Sequence, residues 1–288
     1  MQNNLNNIVY IIGMPRAGTT FLYHNLSKHP SLYVPFRRKT NYFSLHREKP
    51  IEWFLDHFKE MPDNKLGIDT ETLFFVDKNL QSYKKIKDTN PNAKVMLFVR
   101  KPDEWVYSFY KQIATFDKDI GQFKDFLDGK YILTEDAKQI SFNIKDEDIQ
   151  MLIEDIRKEF GNNLLLVNFT LFQSNPLKLL QEIETFLGLN TYFDDNNFQN
   201  KKINASNRGH ITLLANLLRK QWVITILSKL PSKFIKTIRI FYDNISLKLG
   251  GNNTHVDTEE EKNLKLAAKY FKNDINYYYS LFKQSDIL

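Results

Sequence analysis

The chain has 288 residues, 42% of them hydrophobic and 26% charged, which suits a packed α/β domain and excludes a disordered or collagen-like polymer. It contains no cysteine, so disulfides, thiolate metal sites and cysteine nucleophiles are excluded. A formal charge of +6 suits an anionic small ligand and is too weak at this length to argue for nucleic acid as a partner.

The opening MQNNLNN has no basic segment and no stretch approaches a membrane span, so the expectation is a cytoplasmic chain. Residues 8–12, IVYII, form a continuous apolar run rich in β-branched residues, the pattern of a strand buried on both faces. Residues 13–20 read GMPRAGTT, and helical spacing follows over 20–27. The octet is close to the phosphate-cradling pattern G-x-x-x-x-G-K-[ST], with Thr19 where the lysine belongs. A glycine-framed turn at a helix N-terminus aims free amides and the positive end of the helix dipole at an anion. Ala17, Gly18, Thr19 and Thr20 are the candidate donors, and Arg16 is the loop's cation.

A triphosphate loop needs its lysine, and a strand-end aspartate to hold Mg²⁺. The nearest candidate for that aspartate is Asp77, ending LFFVD, but the stronger strand, KVMLFV at 94–99, ends in Arg100. An arginine there repels a metal ion and attracts a second anion, so the site is expected to need no metal. Pro102 and Asp103 then suit a helix start, with Trp105, Val106, Phe109 and Tyr110 as its apolar face. Residues 164–167, LLLV, read as another strand, and 176–187 as an amphipathic helix stopped by Gly188.

Strands interleaved with helices predict a three-layer α/β fold, a central mostly parallel sheet flanked by helices, with ligands outside the carboxyl ends of the strands. No repeat or linker is visible, so a single domain over 1–288 is expected, helical from about 211 to 288. Residues 232–249 form a basic amphipathic segment whose ordinary reading is packing on its own domain; the other is peripheral contact with the inner face of a membrane.

The motifs resemble those of a known family. GMPRAGTTFL is similar to the 5′-phosphosulfate loop of the sulfotransferases that use 3′-phosphoadenosine 5′-phosphosulfate (PAPS), which share a P-loop-type fold. VMLFVRKPDEWVYSFY, residues 95–110, resembles their 3′-phosphate segment, and residues 163–189 resemble the strand, loop and helix that follow. The likeness spans most of 8–210 in the family's order and implies PAPS as co-substrate. It implies Arg100 and Ser108 on the 3′-phosphate; Arg16, where the family usually has lysine, is the candidate to join the loop amides on the 5′ end and neutralise the leaving phosphate. Arg208, in the basic loop 201–210, is a further 3′-phosphate candidate.

In relatives that modify sugars, a Lys-Glu pair precedes an aromatic pair, and that glutamate is the general base. Here RRKTNYFS, residues 37–44, keeps Lys39 but has Thr40 at the glutamate position. The remaining base candidates are His46, and Asp69 or Glu71 in GIDTETLFF, with Asp69 preferred as nearest a strand end. The resemblance thus implies sulfuryl transfer to a hydroxyl, with a glycan or glycolipid as acceptor. The alternatives are a P-loop nucleotide phosphotransferase and a non-catalytic nucleotide-binding or membrane-surface protein.

Overall fold

A computed structural model describes residues 5–35, 39–71, 81–115, 117, 119–135, 138–146, 148–198 and 258–283. The chain divides into two compact units, Met1–Phe198 with Val256–Leu288, and Gln199–His255. Everything below belongs to the first. Asp77, Arg208 and the basic segment 232–249 lie outside the described residues.

Strand β1 (Ile8–Gly13) is buried along its whole length, as its apolar run predicts. It sits mid-sheet, pairing in parallel with β3 (Leu66–Glu71) on one side and β4 (Val95–Val99) on the other. The short β2 (Leu32–Tyr33) extends the sheet beyond β3, and β7 (Leu164–Asn168) extends it beyond β4. The order β2-β3-β1-β4-β7 is all parallel, the signature of helical crossovers that cover both faces. Strands β5 (Lys130–Glu135) and β6 (Lys138–Asn143) form a separate antiparallel pair that the sequence reading did not anticipate.

The helices follow the strands. Helix α1 (Thr19–Leu26) leaves the loop after β1, α2 (Ile51–Asp56) stacks Phe54 on Tyr10 of β1, and α3 (Ser82–Thr89) precedes β4. Helix α4 (Pro102–Ile113) begins on Pro102, where a missing N–H costs nothing. Helices α5 (Phe123–Asp128), α6 (Ile149–Phe160), α7 (Phe169–Ser174) and α8 (Pro176–Leu187) follow, α8 ending on Gly188 at φ 72°. After the undescribed segment, α9 (Thr258–Tyr270) and α10 (Lys272–Lys283) pack against α4, and α10 also against α6. Trp105, fully buried on α4, meets Phe271 edge-on at 6.4 Å between ring centroids. No helix among the described residues is long and apolar enough to cross a membrane.

The strand order matters for function. From β1 the chain runs out to the edge strand β2, returns to lay β3 beside β1, then crosses to the other side of β1 for β4 and β7. The carboxyl ends of β1 and β4 therefore flank the switch point, where connections diverge and leave a crevice.

Candidate active site

The loop after β1 owes its path to two glycines. Gly13 has φ 148°, and a Cβ there would lie 2.5 Å from the carbonyl oxygen of Phe98, so no side chain fits where β4 passes. Gly18 has φ 86° and caps α1; its Cβ would meet the Phe172 ring at 2.5 Å. The Ala17 N–H donates to Met14 O at 3.2 Å and closes the loop, while Phe21 and Leu22 donate back to Gly18 O at 3.0 and 3.3 Å. The helix thus starts at the second glycine, and the amides of its first turn face out of its N-terminus. Arg16 itself adopts φ 70°, a left-handed conformation costing an L-residue about 1–2 kcal/mol.

Three candidate side chains meet here. Arg16 Nε donates to Ser108 Oγ at 3.4 Å, a long bond joining the loop to α4. Arg100, just past β4, turns back so that Nη1 donates to Arg16 O at 3.2 Å, and its own N–H approaches Met14 Sδ at 3.3 Å. Its guanidinium carbon lies 4.8 Å from the centre of the Phe169 ring, and Nε stands 3.6 Å from Glu104 Oε2, too far for a hydrogen bond. Among the described residues the buried Arg100 Nε has no hydrogen-bond acceptor. Burial presses the Arg100 pKa down, with Glu104 and Asp103 opposing; a guanidinium stays charged regardless. The ion pair with Glu104 meets part of this charge, and the hydrogen-bonding capacity left at Nε is what an anionic ligand would complete. Ala17 is buried in the loop and Thr19 half-exposed at its exit.

A second cluster lies on the β3 side. Asp69 and Glu71 alternate along β3, so both face the side covered by residues 40–46 and α2. Asp69 is fully buried and accepts from the Thr40 N–H at 3.2 Å and the Thr40 hydroxyl at 3.0 Å. Glu71 accepts from the Phe43 N–H at 3.1 Å and Ser44 Oγ at 2.8 Å. Burial, reinforced by the nearby Asp69 charge, pushes the Glu71 carboxyl up to about 8; Ser44, Phe43 and the positive charge of Lys39 oppose the rise. Strand β3 continues to Glu71, which pairs with Ile12 next to the loop, so Glu71 and not Asp69 stands at the sheet's carboxyl edge. The strand is longer than expected because β1 supplies a pairing partner along that whole stretch. His46 is nearly buried, its N–H on Asn41 O at 2.9 Å and its ring 5.1 Å from that of Trp53.

Comparison with known proteins identifies the family. Residues 7–223 match the model of the sulfotransferase domain. The chain belongs to the sulfotransferase domain family.

A membrane-associated sulfotransferase of Dictyostelium discoideum, kil1, is 32% identical to this sulfotransferase domain over 102 residues, 35% of the chain. The match spans only 21% of that relative's length. Among solved structures, a sulfotransferase from Alicyclobacillus acidocaldarius superposes with a TM-score of 0.54 at 16% identity, covering 67% of this chain and 85% of the other. That likeness is one of fold. A mouse sulfotransferase complexed with PAP gives a TM-score of 0.48 at 13% identity, over 93% of this chain and 86% of that one.

In this sulfotransferase domain the sequence-predicted residues fall into two groups. Arg16, Arg100 and Ser108 gather with the glycine loop at the β1–β4 crevice; Lys39, His46 and Asp69 belong to the cluster on the β3 side. Two neighbours went unread in the sequence. Glu104 carries a legible signal, lying four residues beyond Arg100 in the first turn of the helix that follows it. Phe169 carries none, because only the pairing of β7 with β4 brings it under Arg100.

Proposed function

We propose that this chain transfers a sulfuryl group from PAPS to a hydroxyl of a carbohydrate or glycolipid acceptor, releasing adenosine 3′,5′-bisphosphate. One observation carries the reading: the Arg100 side chain returns to the loop after β1, with Nη1 3.2 Å from Arg16 O. That return joins two anion-binding elements in one crevice, one of backbone amides and one of guanidinium. A nucleotide phosphorylated at both ends of one ribose requires both.

In the proposed reaction the acceptor oxygen attacks sulfur in line, and the bond from sulfur to the 5′-phosphate oxygen breaks. Negative charge grows on that leaving phosphate. The amides of residues 18–20 and the Arg16 guanidinium are arranged to stabilise it, the Ala17 amide being spent on Met14 O, and preorganised donors of this kind supply most of the acceleration in related group transfers. Arg16 stays charged at any working pH and so donates no proton to the leaving group. Arg100 and Ser108 hold the 3′-phosphate, where a planar fork binds two oxygens at once. Arg208 belongs to the same proposal and rests on sequence; for 232–249 the sequence favours packing on its own domain, with peripheral membrane contact as the second reading. On the acceptor side, Asp69 is the preferred base to take the acceptor's proton, with His46 and Glu71 as the other candidates and Lys39 beside them. A cytoplasmic or membrane-peripheral location suits this donor.

Thermal unfolding tests the donor. A ligand at a hundredfold excess over its Kd stabilises by about 2.7 kcal/mol. Adenosine 3′,5′-bisphosphate is expected to raise Tm with EDTA present, and Mg²⁺-ATP is expected to leave it unchanged. The reverse pattern would replace this reading with a phosphotransferase. Sulfur-35-labelled PAPS offered to glycan and glycolipid panels then identifies the acceptor; donor binding without turnover on any of them would leave a nucleotide-binding protein.

A further inference from the structure

The family match ends at residue 223, yet helix α10, far beyond it, reaches the crevice. Tyr278 on α10 is 5% exposed. Its hydroxyl donates to Asn168 Oδ1 at 2.6 Å and lies 3.2 Å from Thr170 Oγ1. The same Asn168 oxygen accepts the Thr170 N–H at 2.9 Å. These contacts pin both ends of a turn whose middle residue is Phe169.

That turn occupies a decisive place. Asn168 ends β7 and pairs with Val99, the residue immediately before Arg100. The Phe169 ring lies 4.8 Å from the Arg100 guanidinium carbon. Its other edge crowds the loop, where a Cβ on Gly18 would come within 3.1 Å of Phe169 Cε2. One aromatic ring therefore spaces the guanidinium from the amide nest, and Tyr278 fixes the backbone that carries the ring. The Tyr278 ring has its own anchorage, meeting Tyr279 at 5.7 Å and Phe282 at 5.0 Å. The hydroxyl is thus separable from the packing.

We infer that Tyr278 is a positioning residue of the nucleotide site: through the Asn168–Thr170 turn and the Phe169 ring it sets where Arg100 stands, and so tunes preference for a 3′-phosphorylated nucleotide. The inference rests on the donor reading above and adds a C-terminal helix to the parts that make it work. A purely structural tyrosine would change affinity for all nucleotides alike; a positioning one changes the part due to the 3′-phosphate.

Titration calorimetry on the full chain with adenosine 3′,5′-bisphosphate and with adenosine 5′-monophosphate separates the two. The ratio of the two affinities reports the 3′-phosphate alone. Tyr278→Phe, which keeps the ring, is expected to lower that ratio about tenfold, the scale of one hydrogen bond to a buried polar network. Phe169→Leu, which removes the spacer directly, is expected to lower it at least as far. In the Arg100→Ala background Tyr278→Phe should change nothing further, because the two act as one unit. If the unaltered protein favours the bisphosphate and Tyr278→Phe leaves the ratio unchanged, whatever Phe169→Leu does, the inference is overturned while the donor reading stands. If the unaltered protein binds the two equally, both fall together.

Discussion

The guanidinium of Arg100 folds back over the end of the central sheet and hands a hydrogen bond to the carbonyl of Arg16, 3.2 Å away. Two residues from separate strand ends thereby share one crevice, and each has a distinct task in the proposed donor site. Arg100→Lys keeps a positive charge and loses the fork, while Arg100→Ala loses both. Charge-assisted hydrogen bonds contribute about 1.5–3 kcal/mol, so the alanine variant should bind adenosine 3′,5′-bisphosphate roughly tenfold to a hundredfold more weakly. The lysine variant should fall between it and the unaltered protein. Calorimetric titration checks the order, and equal affinity in all three would remove Arg100 from the site.

Gly18 bears on stability and ligand binding together. Its φ of 86° penalises any side chain, and a methyl there would press on the Phe172 ring at 2.5 Å. Gly18→Ala is expected to cost about 3 kcal/mol in urea unfolding, from the left-handed backbone and the clash combined. Adding Phe172→Leu should relieve the clash and leave the backbone penalty, recovering only part of the loss. Full recovery in the double variant would show that the loop tolerates a side chain at this conformation after all.

Glu71 makes stability depend on pH in a direction opposite to most carboxylates. Its folded pKa is raised, from 4.5 to about 8, because burial beside Asp69 disfavours the charge. The unfolded chain therefore releases this proton first as pH rises. The folded state loses stability between about pH 4.5 and 8, with a slope of up to about 1.4 kcal/mol per pH unit from this one group, and the loss levels off above that window. Glu71→Gln keeps an acceptor for Phe43 and Ser44 and has nothing to ionise. The difference in unfolding free energy between the variant and the unaltered protein should grow in the variant's favour from pH 5 to 8. A difference that stays flat over that range would mean Glu71 is ionised in the fold.

Much of this site is written locally. The run IVYII reads as a doubly buried strand, the glycines at 13 and 18 as the ends of a tight turn, and a proline at 102 opens the helix that carries Ser108. Those features depend on side chains a few residues apart, so composition and spacing suffice to read them. Tertiary structure decided what they do together. Parallel pairing of β1 with β4 set Arg100 against Arg16, and pairing of β4 with β7 slid Phe169 beneath the guanidinium. The pairing of β1 with β3 buried Asp69 and carried Glu71 to the sheet's edge, where Thr40 and Ser44 meet them from far back in the chain. Strand order is a choice among alternative pairings of the same strands, won by the total burial of the folded sheet, and no short stretch of sequence contains that sum.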